Sequence, residues 1–130
     1  MGNYESYIDT VEMVAGAIDG DEKAMRDTIE HMTGERPDDD ASRDDLREAI
    51  SYAILEWPLE IKRDGTALKV LLTVGGPGVY LIREPFSWGD EMRYIEAGYP
   101  RRTYGGAAVT TILDFFREVV GPEDSDVLGF

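Results

Sequence analysis

Apolar side chains recur at three- and four-residue steps through the start of the chain: Tyr4, Tyr7, Ile8, Val11, Val14, Ala15 and Ile18. That spacing is one face of a helix, with Asn3 as its N-cap and Gly20 as its stop. A second helix is expected from about Asp21 to Thr33, turning Ala24, Met25, Ile29 and Met32 inward and ending at Gly34. Asp21 and Glu22 in its first turn suit the positive end of the helix dipole. Arg36-Pro37-Asp38-Asp39-Asp40 reads as a linker, because proline breaks the helix and three adjacent carboxylates repel. A third helix follows from about Ser42 to Trp57, with Ser42 and Asp45 resembling a capping box and Leu46, Ile50, Ala53, Ile54 and Trp57 forming its stripe.

At Pro58 the period changes from helical to alternating. Leu59 and Ile61, an Arg63-Asp64-Gly65-Thr66 turn and the run Leu68–Val74 describe a hairpin, since a type I′ turn needs positive φ at its centre and Asp-Gly supplies it. Gly75-Gly76-Pro77-Gly78 is a second turn, Val79–Ile82 a third strand and Phe86–Asp90 a third connection. Met92–Ala97 alternates as a fourth strand, and Gly98–Gly106 reads as a loop. Ala107–Val120 is a last helix, with Val109, Ile112, Leu113, Phe116 and Val119 or Val120 toward the sheet, stopped by Gly121-Pro122. The pattern predicts an α+β fold: three N-terminal helices, a four-stranded antiparallel meander and one C-terminal helix packed on the sheet. Residues 1–122 form one domain, with 1–57 as its helical half, 58–122 as sheet plus helix, and 123–130 as an acidic tail.

Charge changes this picture more than composition does. Residues 1–60 hold seventeen Asp and Glu against five Lys and Arg, a net −12, whereas 61–122 hold seven acids against eight bases, a net +1. A uniformly acidic chain is simply soluble; an acidic half joined to a neutral half describes a molecule with a working face. The neutral half also argues against a halophile, whose surface is acidic throughout. The chain has no cysteine, which excludes disulfides and thiolate metal sites and points to a reducing, cytoplasmic compartment. Its start lacks a signal-peptide pattern, and no apolar run reaches the roughly 18 residues of a membrane span.

The candidate chemistry is sparse. Calcium-loop frames from Asp19 and from Asp38 fail: the first puts Lys23 and Ala24 at positions five and six, the second Arg43 and Ala49 at six and twelve. The glycines at 75, 76 and 78 sit between β-forming runs rather than opening a helix, which suits a turn and not a phosphate loop. His31 is the only histidine, so a Ser-His-Asp or two-histidine metal site within one chain is excluded; it reads as a solvated helix residue one turn after Asp27. Catalytic residues, metal and cofactor are each expected to be none. Aromatics near Arg101-Arg102, among them Trp88, Tyr99 and Tyr104, read as sheet packing rather than a base-stacking surface.

What remains is the helical half. Asp19, Asp21, Glu22, Asp27, Glu30, Glu35, Asp38, Asp39, Asp40, Asp44, Asp45 and Glu48 are the candidate partner-binding residues. Duplex DNA carries one charge per about 1.7 Å of axis. Carboxylates on exposed helix faces and in the linker reach a comparable density over about 20–25 Å, the length of one such helix.

From about Leu59 onward the chain resembles small uncharacterised proteins of phages and other mobile elements. The resemblance is carried by Val70–Ile82, within which 71–82 follow an LLTxGGPxVxLI pattern, then by Arg93-Tyr94-Ile95-Glu96, Tyr104 and Phe115-Phe116. It covers about half of the chain, and it departs at Gly98-Tyr99-Pro100, where the family often has an acidic-aromatic pair and Trp. It implies a mobile-element origin and no particular activity. Small acidic phage proteins often inhibit host defence, so the analogy implies an anti-CRISPR-like, DNA-mimicking inhibitor. Its partner would be a host nucleic-acid-binding protein or CRISPR-Cas complex, bound in the host cytoplasm by a monomer or homodimer without direct contact to nucleic acid or membrane. Arg101, Arg102 and the loop around Trp88 would make a second contact. The alternative is a virion assembly or adaptor protein acting through protein–protein contacts.

Overall fold

The computed structural model describes residues 3–64, 67–75, 77–84, 89–98 and 101–120. Along the chain lie α1 (Tyr4–Ile18), α2 (Glu22–Thr33), α3 (Arg43–Glu56), β1 (Glu60–Asp64), β2 (Ala67–Thr73), β3 (Gly78–Arg83), β4 (Glu91–Ile95), β5 (Arg102–Gly105) and α4 (Ala107–Val120). The class is α+β, and the sheet is an antiparallel meander in the order β1-β2-β3-β4-β5.

The fifth strand corrects the expected loop over Gly98–Gly106. Arg102, Thr103, Tyr104 and Gly105 pair with Tyr94, Arg93, Met92 and Glu91. Four residues starting with arginine and ending at glycine carry too little alternation to register as a strand. Pairing to β4 supplies what local propensity lacks. Tyr104 also anchors the strand to α1, donating its hydroxyl to the Glu12 carboxylate at 2.6 Å, while the Tyr4 hydroxyl donates to the Thr103 carbonyl at 2.8 Å. Tyr104→Phe is expected to cost about 1–2 kcal/mol, the worth of a hydrogen bond to a charged group, read by thermal unfolding.

The strands alternate as a sheet with one covered face requires. Leu68, Val70 and Leu72 of β2, Val79 and Leu81 of β3, and Met92 and Tyr94 of β4 are buried, and their neighbours in sequence are not. α4 lies on that face against β2, β3 and β4 and also packs along α1. Its Val109, Ile112, Leu113 and Phe116 are fully buried, as their spacing predicts. Of the two alternatives at its end, Val119 is half exposed, and the Val120 side chain lies outside the described set. α2 and α3 pack on α1 and on each other. One apolar cluster runs from Val11, Met25 and Ile54 of the helices to Val70 and Leu81 of the sheet.

The local signals work as expected at the helix starts. Asn3 accepts from the Ser6 amide at 2.8 Å, Asp21 from Ala24 at 2.9 Å and Ser42 from Asp45 at 3.1 Å. Gly20 turns the chain between α1 and α2 with φ of 97°, and a Cβ there would meet the Arg43 side chain. The Asp64-Gly65, Gly75–Gly78 and Phe86–Asp90 turns each include residues outside the described set, and the Gly121-Pro122 stop and the acidic tail lie wholly outside it.

The direction of α3 decides the geometry of the helical layer. Arg26, in the second turn of α2, donates to the carbonyls of Asp38 (2.8 Å) and Asp39 (3.2 Å). Arg43, in the first turn of α3, donates to the carbonyl of Gly20 just before α2. At the other end, His31, Met32 and Thr33 share a cavity of about 300 Å³ with Ala53, Glu56 and Trp57. α2 and α3 therefore run in the same direction, and the connection between Gly34 and Ser42 returns along their length. Their N-termini lie side by side.

Candidate functional site

The parallel arrangement gathers acidic residues that are far apart in sequence. Asp19 caps the end of α1, Asp21 and Glu22 open α2, Asp38, Asp39 and Asp40 sit in the connection held by Arg26, and Asp44 and Asp45 open α3. Glu48 follows one turn along α3. All nine are exposed. Two helix N-termini beneath them supply amide hydrogens and the positive ends of two macrodipoles, which favour carboxylates at this position.

Among the described residues, eight of these nine make no salt bridge. The exception is Glu22, whose carboxylate lies 3.3 Å from the Arg26 guanidinium. Lys23, Arg26, Arg43 and Arg47 are the described cations near the same end, Lys23 being turned to Asp27 and Arg26 buried. Arg43 is engaged with the Gly20 carbonyl, and Arg47 lines a cavity of about 360 Å³ with Asp19, Gly20, Ile50 and Phe115. Nine carboxylates thus stand against four cations there.

The other three candidate acids are not part of this end. Asp27 and Glu30 lie on the flank of α2, where Arg36 folds back onto both at 2.8 and 2.9 Å and Lys23 reaches Asp27 at 2.7 Å. Hydrogen bonds from Lys23 and then Arg36 hold the Asp27 carboxyl below its usual range. Asp27 is committed to two cations, and His31 is an exposed helix residue, as expected, on the rim it shares with Trp57. Glu35 lies beyond Gly34, at the C-terminal end of α2.

The sheet half treats its charges in the opposite way. Arg83 makes a bidentate pair with Asp90 (2.9 and 2.7 Å) and a further bond to Asp114 of α4 (2.8 Å). Arg93 joins Glu84 (2.6 Å) and Glu91 (2.9 Å). Arg102, expected in a second contact, lies over the Tyr4 ring at 5.3 Å and 4.0 Å from Glu5, while Trp88 and Tyr99 are outside the described residues. On this side four of the seven acids are thus engaged by two arginines.

Two features escaped the sequence pattern. Arg26 is buried although it sits between two helix-surface acids in sequence; only the returning connection covers it. Tyr52 and Leu55 of α3 are 65% and 39% exposed, and their spacing from Glu48 was the available signal. Among the described residues no group of three or more potential ligands is placed to hold a metal ion, and no helix is long and apolar enough to cross a membrane.

No protein-family profile matches the chain, and neither a curated protein nor a solved structure shows significant similarity to it.

Proposed function

We propose that this protein is a non-enzymatic inhibitor of the anti-defence kind, which binds a nucleic-acid-handling complex of the host through its acidic helical end. The observation that carries the reading is the set of exposed carboxylates, without a salt bridge among the described residues, gathered where α2 and α3 begin: Asp19, Asp21, Asp38, Asp39, Asp40, Asp44, Asp45 and Glu48. They come from both sides of a folded-back connection, so the negative density is a product of tertiary structure. It is fixed by Arg26 rather than carried on a loose arm. A lysine- and arginine-lined groove built for a phosphate backbone would attract this end by the same long-range field. Occupation of the groove would then exclude nucleic acid. The resemblance of the sheet half to phage proteins supports the anti-defence setting.

The test is competition with DNA for a purified CRISPR surveillance complex, followed by kinetics at rising salt. Replacing Asp38, Asp39, Asp40, Asp44 and Asp45 by Asn is expected to lower the association rate by about ten- to a hundredfold at low salt. The fold should be retained, because these side chains are solvated. Affinity indifferent both to salt and to these substitutions would overturn the electrostatic mechanism.

The assembly or adaptor reading rests on a different observation. The sheet face away from the helices presents Leu71, Tyr80 and Ile82, all partly exposed, at its centre. Oligomers that persist at high salt in sedimentation would favour that reading.

A further inference from the structure

Electrostatic complementarity speeds encounter and fixes register more than it adds affinity, so the outward face of α3, where apolar side chains adjoin the carboxylates, takes on significance. Leu46, Ile50, Ala53 and Ile54 are buried on one side of this helix. At 100° per residue, Glu48, Tyr52 and Leu55 point the opposite way, with Asp44 and Asp45 one turn above. This outward stripe is polarised: three carboxylates, exposed and without a salt bridge among the described residues, lead it, and an exposed tyrosine and an exposed leucine follow. Glu56 lies at its lower edge, also exposed.

We infer that the outward stripe of α3 is the specificity-determining part of the acidic surface and takes an amphipathic helix of a basic partner, with Tyr52 and Leu55 as its anchors. This rests on the reading under Proposed function and names the partner's chemistry. The stripe does not complement a second copy of itself. Parallel pairing of two α3 helices would set carboxylates against carboxylates, and antiparallel pairing would bury Asp45 and Glu48 against Leu55 and Tyr52. Both arrangements are unfavourable. A segment with lysines or arginines at one end and two or three apolar side chains at helical spacing satisfies both halves of the stripe. Tyrosine is a residue type enriched at interface hot spots, because a large, rigid surface is buried at small entropic cost. An all-apolar segment would desolvate these carboxylates without a partner, whereas a basic one pairs with them, so the stripe selects by charge as well as by shape.

The experiment titrates the intact chain with a synthetic amphipathic helical peptide carrying leucine and tryptophan on one stripe and a lysine-arginine cluster at one end. A scrambled peptide of the same composition is the control. Binding is followed by fluorescence anisotropy of the labelled peptide and mapped by amide chemical shifts. The ordered peptide is expected to bind at α3 about tenfold or more tightly than the scrambled one. Tyr52→Gln with Leu55→Gln should weaken binding by about thirtyfold through faster dissociation, leaving the salt dependence unchanged. Asp44→Asn, Asp45→Asn and Glu48→Gln together should slow association and flatten the salt dependence. All five positions face solvent, and unchanged circular dichroism establishes that the variants fold.

Equal binding of ordered and scrambled peptides, or an undisturbed Tyr52/Leu55 variant beside a weakened charge variant, overturns this inference and leaves the electrostatic reading standing. An undisturbed charge variant overturns that reading, and with it the basic chemistry assigned to the partner. A concentration-dependent dimer abolished by Tyr52→Gln and Leu55→Gln overturns the assignment in favour of a second copy.

Discussion

Arg83→Met should destabilise the protein by about 3 kcal/mol at neutral pH, a loss measured by urea unfolding. The guanidinium joins β3 to Asp90 at the approach to β4 and to Asp114 of α4, so one side chain ties the sheet to the helix that covers it. The Asp90 side chain is only 10% exposed. Methionine fills much of the same volume but leaves that carboxylate buried without its cation, and the desolvation cost then stands uncompensated. Asp114 is well exposed and contributes little by comparison.

The pH dependence gives this prediction a second, independent sign. Burial by itself would raise the Asp90 pKa, but the bonds from Arg83 and Thr110 outweigh it and the carboxyl titrates below its ordinary value. A group whose folded pKa is depressed contributes stability that is complete above the unfolded pKa, about 3.9 for aspartate. That contribution is lost as pH falls through the folded value. In Arg83→Met only the burial effect and the Thr110 bond remain, so Asp90 binds a proton more readily. The gap between wild type and variant should therefore be widest near pH 7 and narrow steadily below about pH 4. A gap of constant size would show that Arg83 acts through packing alone.

The second large effect is expected at Arg26. Arg26→Met removes charge-assisted bonds to the Asp38 and Asp39 carbonyls and the pair with Glu22, while keeping the buried alkyl volume. A cost of about 2–3 kcal/mol follows from hydrogen bonds to a charged group. The distinguishing readout is local: amides and protease-sensitive bonds between Gly34 and Ser42 should lose protection before the rest of the fold. Because that connection carries Asp38, Asp39 and Asp40, the same change should weaken partner binding more than its stability cost explains. Arg36→Gln is the matched control. Arg36 makes two ion pairs, but on an exposed flank where solvent screens them, and its loss should leave stability nearly unchanged.

These two arginines show where the sequence was legible. The apolar periods of α1, α2, α3 and α4 are strong, and their caps are local chemistry confined to three or four residues, so both could be read from the chain. The same holds for β2, β3 and β4, whose alternation extends over five or more residues. β5 was not legible, because Arg102–Gly105 is a strand only through β4 and the tyrosine bonds to α1. The fates of Arg26 and Arg36 were equally hidden: one is buried and one exposed, although both stand beside acids in sequence.

The same division runs through the candidate surface. Sequence alone determined the number of carboxylates, their concentration before residue 60, and the helices that carry them, because charge and helical period are properties of the residues themselves. Only the tertiary structure decided which carboxylates remain available. The parallel course of α2 and α3 gathers Asp19, Asp21, Asp38–Asp40, Asp44 and Asp45 at one end, and it leaves Asp27 and Glu30 to Arg36. Whether a charge is neutralised depends on distances of a few ångströms between residues distant along the chain, and the packing of the helices on one another sets those distances.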